Sequence, residues 1–168
     1  QSSLFTIARR RILWLLILVL ANGLTTKVIA MNDQILKEIV LLAAFIPLLI
    51  GTGGNVGAQS STVVIRGLST QKLKSLGAIK AVIKESITGA LLGVLMMLVV
   101  FPFAWWQGGG PLIAFAVGIS LISITTLAAT TGAILPLLFD RMRLDPALMS
   151  SPFITTVTDI AGVFIYLS

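Results

Sequence analysis

One carboxylate stands inside an otherwise apolar segment of this sequence. Asp159 lies in the run ITTVTDIAGVFIYL, about 13 residues into a helical segment and so roughly 20 Å along its axis. A carboxylate at that depth in a bilayer costs about 2.5–3.5 kcal/mol, so it needs a partner or a water-filled cavity. Three uses stay open: a hard-cation site, a proton-carrying site, and a salt bridge to Lys27 at a similar depth.

The residues around Asp159 supply oxygen atoms on one helical face. Ser151, Thr155, Asp159 and Gly162 follow spacings of four, four and three, which place them on one side of a helix. Hydroxyl and carboxylate oxygens are the ligands that hard cations prefer, and a glycine allows close approach to the backbone. The pattern therefore favours a cation site on this face.

A second polar face lies in the stretch GTGGNVGAQSST at residues 51–62. Helical spacings of four, four and three connect Gly51, Asn55, Gln59 and Thr62, and an adjoining strip holds Gly54, Ala58 and Ser61. Close helix packing explains the glycines, but it does not explain two amides at membrane depth. We interpret this face as a pore wall whose amides and hydroxyls hydrogen-bond to the water shell of an ion. The stretch is not a phosphate loop, because it lacks GxxxxGK and follows no strand.

The remaining polar residues offer little other chemistry. The sequence has no cysteine and no histidine, which excludes disulfides, thiolate nucleophiles, imidazole bases and the usual soft-metal sites. It also lacks paired carboxylates for acid–base catalysis, so we expect no enzyme. Glu85 has two open interpretations, a cap or ion pair with Lys80 or Lys84, and a place in a pore mouth. Asp145 is expected to cap a helix that begins at Pro146.

Membrane-spanning helices must position these residues. The chain has 168 residues, 57% hydrophobic and 11% charged, against about 25% charged in soluble domains. Because about 20 apolar residues cross a bilayer, the sequence predicts five spans, near 12–31, 35–64, 83–106, 111–139 and 146–166. The second is expected to be broken by Pro47 and by the glycine-rich stretch. The predicted class is an all-α integral membrane protein with five transmembrane helices per chain.

The net charge of +6 indicates how the chain is oriented in the membrane rather than nucleic-acid binding, because the basic residues lie between apolar runs. Of the 12 lysines and arginines, all but Lys27 and Lys37 fall at the N-terminus and in the second and fourth loops. The positive-inside rule then predicts a cytoplasmic N-terminus and an outside C-terminus in the cell (inner) membrane. The lysines at positions 72–84 either serve this topology or form a surface for phospholipids or a docking domain.

The ligand chemistry favours Mg²⁺ as the ion. Mg²⁺ dehydrates reluctantly, keeps several waters and contacts a protein through one or two carboxylates. One aspartate per chain is too few for a dehydrated Ca²⁺ cage of about 6–8 oxygens. Two copies of Asp159 across a two-fold axis would hold one hydrated divalent ion and cancel its charge. We therefore predict a homodimer, the commonest closed symmetry.

Two long motifs, GTGGNVGAQSSTVVIRGL and RLDPALMSSPFITTVTDIAG, resemble the membrane domain of the MgtE family of magnesium channels. The resemblance covers essentially the whole chain and implies a homodimeric channel with its pore at the two-fold axis, lined by spans two and five. It implies that Asp159, in the TTxxD motif, forms the central site for hydrated Mg²⁺. It also implies that the pore wall includes Gly51, Gly54, Ala58, Thr62, Thr155 and Gly162. Many members have Asn or Ser where this chain has Ala58.

The resemblance also implies a domain organisation. Full-length members carry a soluble N-terminal domain and paired CBS domains that bind magnesium and close the pore. Residues 1–11, QSSLFTIARRR, then represent the end of a connecting helix, and residues 12–168 the five-helix pore domain. We expect an excised membrane domain that contacts membrane lipids and conducts Mg²⁺ along the membrane potential. The alternatives are a secondary exchanger coupled to H⁺ or Na⁺ through Glu85 or Asp159, and a passive dimerisation anchor.

Overall fold

The computed structural model describes residues 4–31, 40–70 and 77–168. These residues form five α-helices, which we label α1 (Leu4–Met31), α2 (Val40–Ser69), α3 (Ala78–Ala104), α4 (Gly110–Arg141) and α5 (Pro146–Leu167). The described part of the chain contains no strand, which confirms the all-helical class. α5 begins at Pro146, directly after Asp145, as predicted.

Two stretches are long and apolar enough to cross a membrane. They are Val40–Ser69, which is α2, and Ala78–Arg141, which contains α3 and α4 joined by a sharp turn. The apolar parts of α1 and α5, Leu15–Met31 and Pro152–Leu167, are shorter. Five complete crossings therefore stay a prediction from the sequence.

The turn between α3 and α4 folds these helices into an antiparallel hairpin. A π-helical turn at Trp105–Gly109 contains Gly108, whose φ of 89° is in the region that only glycine adopts without strain. Gly89 then meets Thr125 and Ala129 of α4, and Gly118 meets Met97 of α3. Small residues thus allow the two helices to approach closely along their length.

The core lies where α2, α4 and α5 meet. Ile124 of α4 is fully buried, and its side chain packs against Gly53 of α2 and Gly162 of α5. One turn further along α2, Gly57 meets Ile154 of α5 and the backbone of α4. The contacts show that α2 and α4 run parallel to each other, whereas α5 runs antiparallel to both.

Two expectations about boundaries need correction. α2 is one continuous helix from Val40 to Ser69, so neither Pro47 nor the glycine-rich stretch breaks it. A proline removes one backbone hydrogen bond, and neighbouring helices in a membrane protein tolerate that loss. α3 begins at Ala78, about one turn before the predicted start, so Lys80 and Lys84 belong to its first turns.

Candidate functional site

The polar face of α2 is the exposed face of that helix. Gly51, Asn55, Gln59 and Thr62 are all exposed, as their helical spacing requires, while Gly53 and Gly57 point into the core. Asn55, Gln59 and Thr62 line an open groove together with Ala58 and Val63, with a volume of about 640 Å³. Amide and hydroxyl groups therefore cover a surface that one copy of the chain leaves open.

Helix α5 lies against α2 in an antiparallel register. Gly53 faces Thr158, and Gly57 faces Ile154 four residues earlier on α5. Gly54 faces Thr155, whose methyl carbon would lie 3.9 Å from a Cβ on that glycine. The register thus brings together Gly54 and Thr155, two of the residues that the resemblance places in the pore wall.

The same register brings Asp159 to the level of Gly51, at one end of the α2 polar face. Asp159 is half-buried on α5. No ion pair joins it to Lys27, which is exposed on α1, or to another residue that the structure describes. The salt bridge left open by the sequence is therefore not formed. No group of three or more acidic, histidine or cysteine side chains that could hold a metal ion occurs among the described residues.

Two threonine hydroxyls of this region donate to backbone carbonyls of their own helices. Thr62 Oγ1 donates to the Ala58 carbonyl at 2.8 Å, and Thr155 Oγ1 donates to the Pro152 carbonyl at 3.0 Å. A hydroxyl oxygen keeps lone pairs after it has donated its proton. These oxygens can therefore accept hydrogen bonds from water, including the water shell of a cation.

Gly162 and Ser151, two predicted site residues on α5, are not placed beside the polar face of α2 by the structure. Gly162 is buried, and a Cβ there would lie 3.5 Å from Ile124 Cδ1, so this position faces α4. Its place in the pore wall stays a prediction. The side chain of Ser151 lies outside the described residues.

The sequence attributes the glycines of α2 to close helix packing without singling out Gly53 and Gly57, which pack α2 against its neighbours. A Cβ at Gly53 would lie 2.6 Å from both Ile124 Cγ2 and Thr158 Cγ2, and one at Gly57 would lie 2.5 Å from Ile154 Cγ2. Spacing places Gly53 and Gly57 four residues apart on the side of α2 away from Asn55. That signal was available, but it does not reveal which helix each glycine meets.

Glu85 is a buried carboxylate on α3. Its side chain is 9% exposed, and it lies one turn before Gly89, on the side of α3 that packs on α4. The next residue, Ser86, hydrogen-bonds Thr130 of α4 at 2.7 Å. The predicted ion pair with Lys80 or Lys84 does not form in the structure, and no hydrogen bond connects Glu85 to another described residue.

Apolar helices that carry an interior carboxylate beside a polar face are typical of membrane proteins that move ions. The family model of MgtE, described as a divalent cation transporter, matches residues 46–168. The chain belongs to the MgtE family, and this membership implies a membrane location.

Three longer relatives match the chain over part of their own length. It is 39% identical over 158 residues to the magnesium transporter MgtE of Thermus thermophilus, covering 94% of this chain and 35% of that protein. The magnesium transporters MgtE of Bacillus subtilis and Enterococcus faecalis are 34% and 35% identical, over 99% and 95% of this chain. These matches cover 37% and 35% of those proteins. The chain thus spans about a third of the length of these relatives, whose names describe transport.

Proposed function

We propose that this chain forms the pore of a magnesium channel, with hydrated Mg²⁺ passing between two copies of the chain. The observation that carries the proposal is the exposed polar face of α2, with Asp159 of α5 at its end. In a bilayer, amides and a carboxylate need water or a polar partner. A water-filled path along this face meets that requirement.

The donor set suits a hydrated ion. One carboxylate from each chain, with amide and hydroxyl groups further along, can bind an ion that retains its waters. This is the binding mode that Mg²⁺ prefers, because its dehydration is costly. The names of the relatives, all magnesium transporters, support the choice of ion.

Two copies would complete the site. A single chain leaves the groove of Asn55, Gln59 and Thr62 open on one side. A two-fold axis along this groove would enclose the path and bring two Asp159 carboxylates to one level, where their charge balances that of one divalent cation. We propose this homodimer as the conducting unit.

The membrane potential is a sufficient driving force for uptake. Moving one charge through 100 mV supplies about 2.3 kcal/mol, so a divalent ion gains about 4.6 kcal/mol. We propose that the N-terminus is cytoplasmic and the C-terminus outside, as the distribution of basic residues predicts. The soluble N and CBS domains implied by the resemblance would regulate the pore from the cytoplasm.

A coupled exchanger is the second candidate, and the buried Glu85 favours it. The Glu85 carboxylate is buried between α3 and α4 and has no partner among the described residues. Such a group is suited to carrying a coupling proton. The exchanger would then need an opposing gradient of H⁺ or Na⁺, which a channel does not.

Proteoliposomes separate these two functions. We expect an inside-negative potassium diffusion potential to drive Mg²⁺ uptake with Na⁺ absent and with the pH equal on both sides. Uptake should rise with the imposed potential and fall when the potential is abolished. The exchanger would instead be established if uptake required an H⁺ or Na⁺ gradient and if Glu85→Gln removed that requirement.

A further inference from the structure

An apolar groove separates the first turns of α3 from the last turns of α4, away from the polar face of α2. Its volume is about 320 Å³, and Arg141 lies at its edge. Ile79 and Ile83 form one wall, with exposed fractions of 76% and 53%, and Ile134 and Leu138 line the opposite wall. The volume lies at the lower end of the range of about 300–1,000 Å³ typical of ligand sites.

The end of the hairpin that carries the groove is rich in exposed basic side chains. Lys80 and Lys84 are exposed in the first turns of α3, and Arg141 and Arg143 are exposed at the end of α4 and just beyond it. The exposed acidic side chains of the same segments are Asp140 and Asp145. The surroundings of the groove therefore favour an anion.

We propose that this groove binds an anionic phospholipid, with an acyl chain between α3 and α4 and the phosphate against Arg141. An apolar groove that continues into a basic rim matches the two parts of such a molecule. A second copy of the chain would bring the same basic side chains to the rim, so charge disfavours that occupant.

Any preference of the groove for one phospholipid over another must come from the headgroup. Lipid tails are as apolar as the leucine and isoleucine side chains of the groove, so exchanging one tail for another gains little. A basic residue near a membrane surface favours an anionic lipid by an amount that corresponds to about a five-fold change in affinity. Arg141 should supply that factor because it is the charged residue lining the groove.

Native mass spectrometry of the purified protein tests the proposal. The protein is titrated with dioleoyl phosphatidylglycerol and with dioleoyl phosphatidylcholine, which differ in headgroup charge but not in acyl chains. We expect tighter binding of phosphatidylglycerol, and an affinity about five-fold lower in Arg141→Gln. Arg66→Gln is the matched control, since Arg66 is exposed in the last turn of α2 and does not line the groove.

A groove-filling variant tests the acyl-chain part independently. Ile79→Trp places a large side chain at a highly exposed position, so the fold should tolerate it while the groove loses its space. We expect this variant to lose phosphatidylglycerol binding although all its charges remain. Equal effects of Arg141→Gln and Arg66→Gln, or unchanged binding in Ile79→Trp, would overturn the proposal. Equal binding of both lipids, or displacement of the lipid by inorganic phosphate alone, would also overturn it. Because binding is the readout, the result is independent of whether the protein conducts Mg²⁺.

Discussion

At the scale of single residues, the contact between Gly57 and Gly132 is the closest of the helix contacts made by the described glycines. A Cβ on Gly132 would overlap the carbonyl oxygen of Gly57, a backbone atom that cannot move without shifting α2. We therefore expect Gly132→Ala to lower the free energy of unfolding by about 1–3 kcal/mol. Unfolding in sodium dodecyl sulfate, followed by circular dichroism, measures the change.

Gly23→Ala is the matched control for this substitution. Gly23 lies inside α1, and a Cβ there would meet no atom within 4 Å. Alanine is favoured over glycine in a helix interior by about 1 kcal/mol, so we expect no loss of stability. Equal destabilisation by the two substitutions would contradict the packing explanation for Gly132.

Side-chain spacing predicts much of the site at this scale. The period of α2 correctly put Asn55, Gln59 and Thr62 on one side of the helix, and the structure shows that side to be exposed. The same rule put Gly162 with Asp159, yet Gly162 faces Ile124 of α4. A helical period defines which residues share a face, but the neighbouring helices decide what that face contacts.

At the scale of helices, a hydrogen bond fixes the end of α5 to the beginning of α2. Tyr166 donates from its hydroxyl to the Leu42 carbonyl at 3.0 Å, and its side chain is buried. We expect Tyr166→Phe to cost about 1 kcal/mol in the free energy of unfolding, because the ring is retained and only this bond is lost. The same detergent unfolding measurement applies.

Ser168→Ala is the control for the tyrosine variant. Ser168 lies two residues further on, and its hydroxyl donates only to the Ile165 carbonyl of its own segment. We expect its removal to leave stability within experimental error. A loss as large as that of Tyr166→Phe would mean that the bond between α2 and α5 has no special role.

The limits of sequence reasoning are clear in α2. The glycine-rich stretch and Pro47 predict an interruption, because both disfavour isolated helices. The helix nevertheless continues, since Gly53 and Gly57 are the residues that let it pack closely on α4 and α5. Tertiary contacts thus override local helix propensity. The spacing of residues in one sequence does not show which helix α2 will contact.

At the scale of the whole molecule, the proposed two-fold axis can be tested by cross-linking. The sequence has no cysteine, so one introduced cysteine is the sole reactive thiol. Gln59 lines the exposed groove, which in the proposed dimer would face the same groove of the second copy across the axis. We therefore expect Gln59→Cys in liposomes to give covalent dimers with a short bis-maleimide. Denaturing electrophoresis measures the dimer fraction.

Leu98→Cys is the control for cross-linking. Leu98 is 67% exposed on α3, on a helix that the proposal keeps away from the axis. We expect little cross-linking at this position under the same conditions. Strong dimer formation from Leu98→Cys and none from Gln59→Cys would place the interface elsewhere and contradict the proposed pore.

The all-helical class and the approximate positions of the helices follow from composition and hydropathy. The packing of α2, α4 and α5 around Ile124 does not, because contacts between distant segments depend on side-chain shape rather than on local pattern. The arrangement of two copies is a further step that rests on the exposed polar face, and it stays a proposal.

Mg²⁺ flux through proteoliposomes that contain Asp159→Asn tests whether this carboxylate binds the passing ion. At about 5 Å in water, one carboxylate attracts a divalent ion by about 1.7 kcal/mol, so we expect flux at low Mg²⁺ to fall about ten-fold or more. The control is Asp140→Asn at equal protein density, which removes an exposed carboxylate at the end of α4 and should leave flux nearly unchanged. Equal flux through native protein and Asp159→Asn would show that Asp159 does not bind the passing ion and that the ion path lies elsewhere.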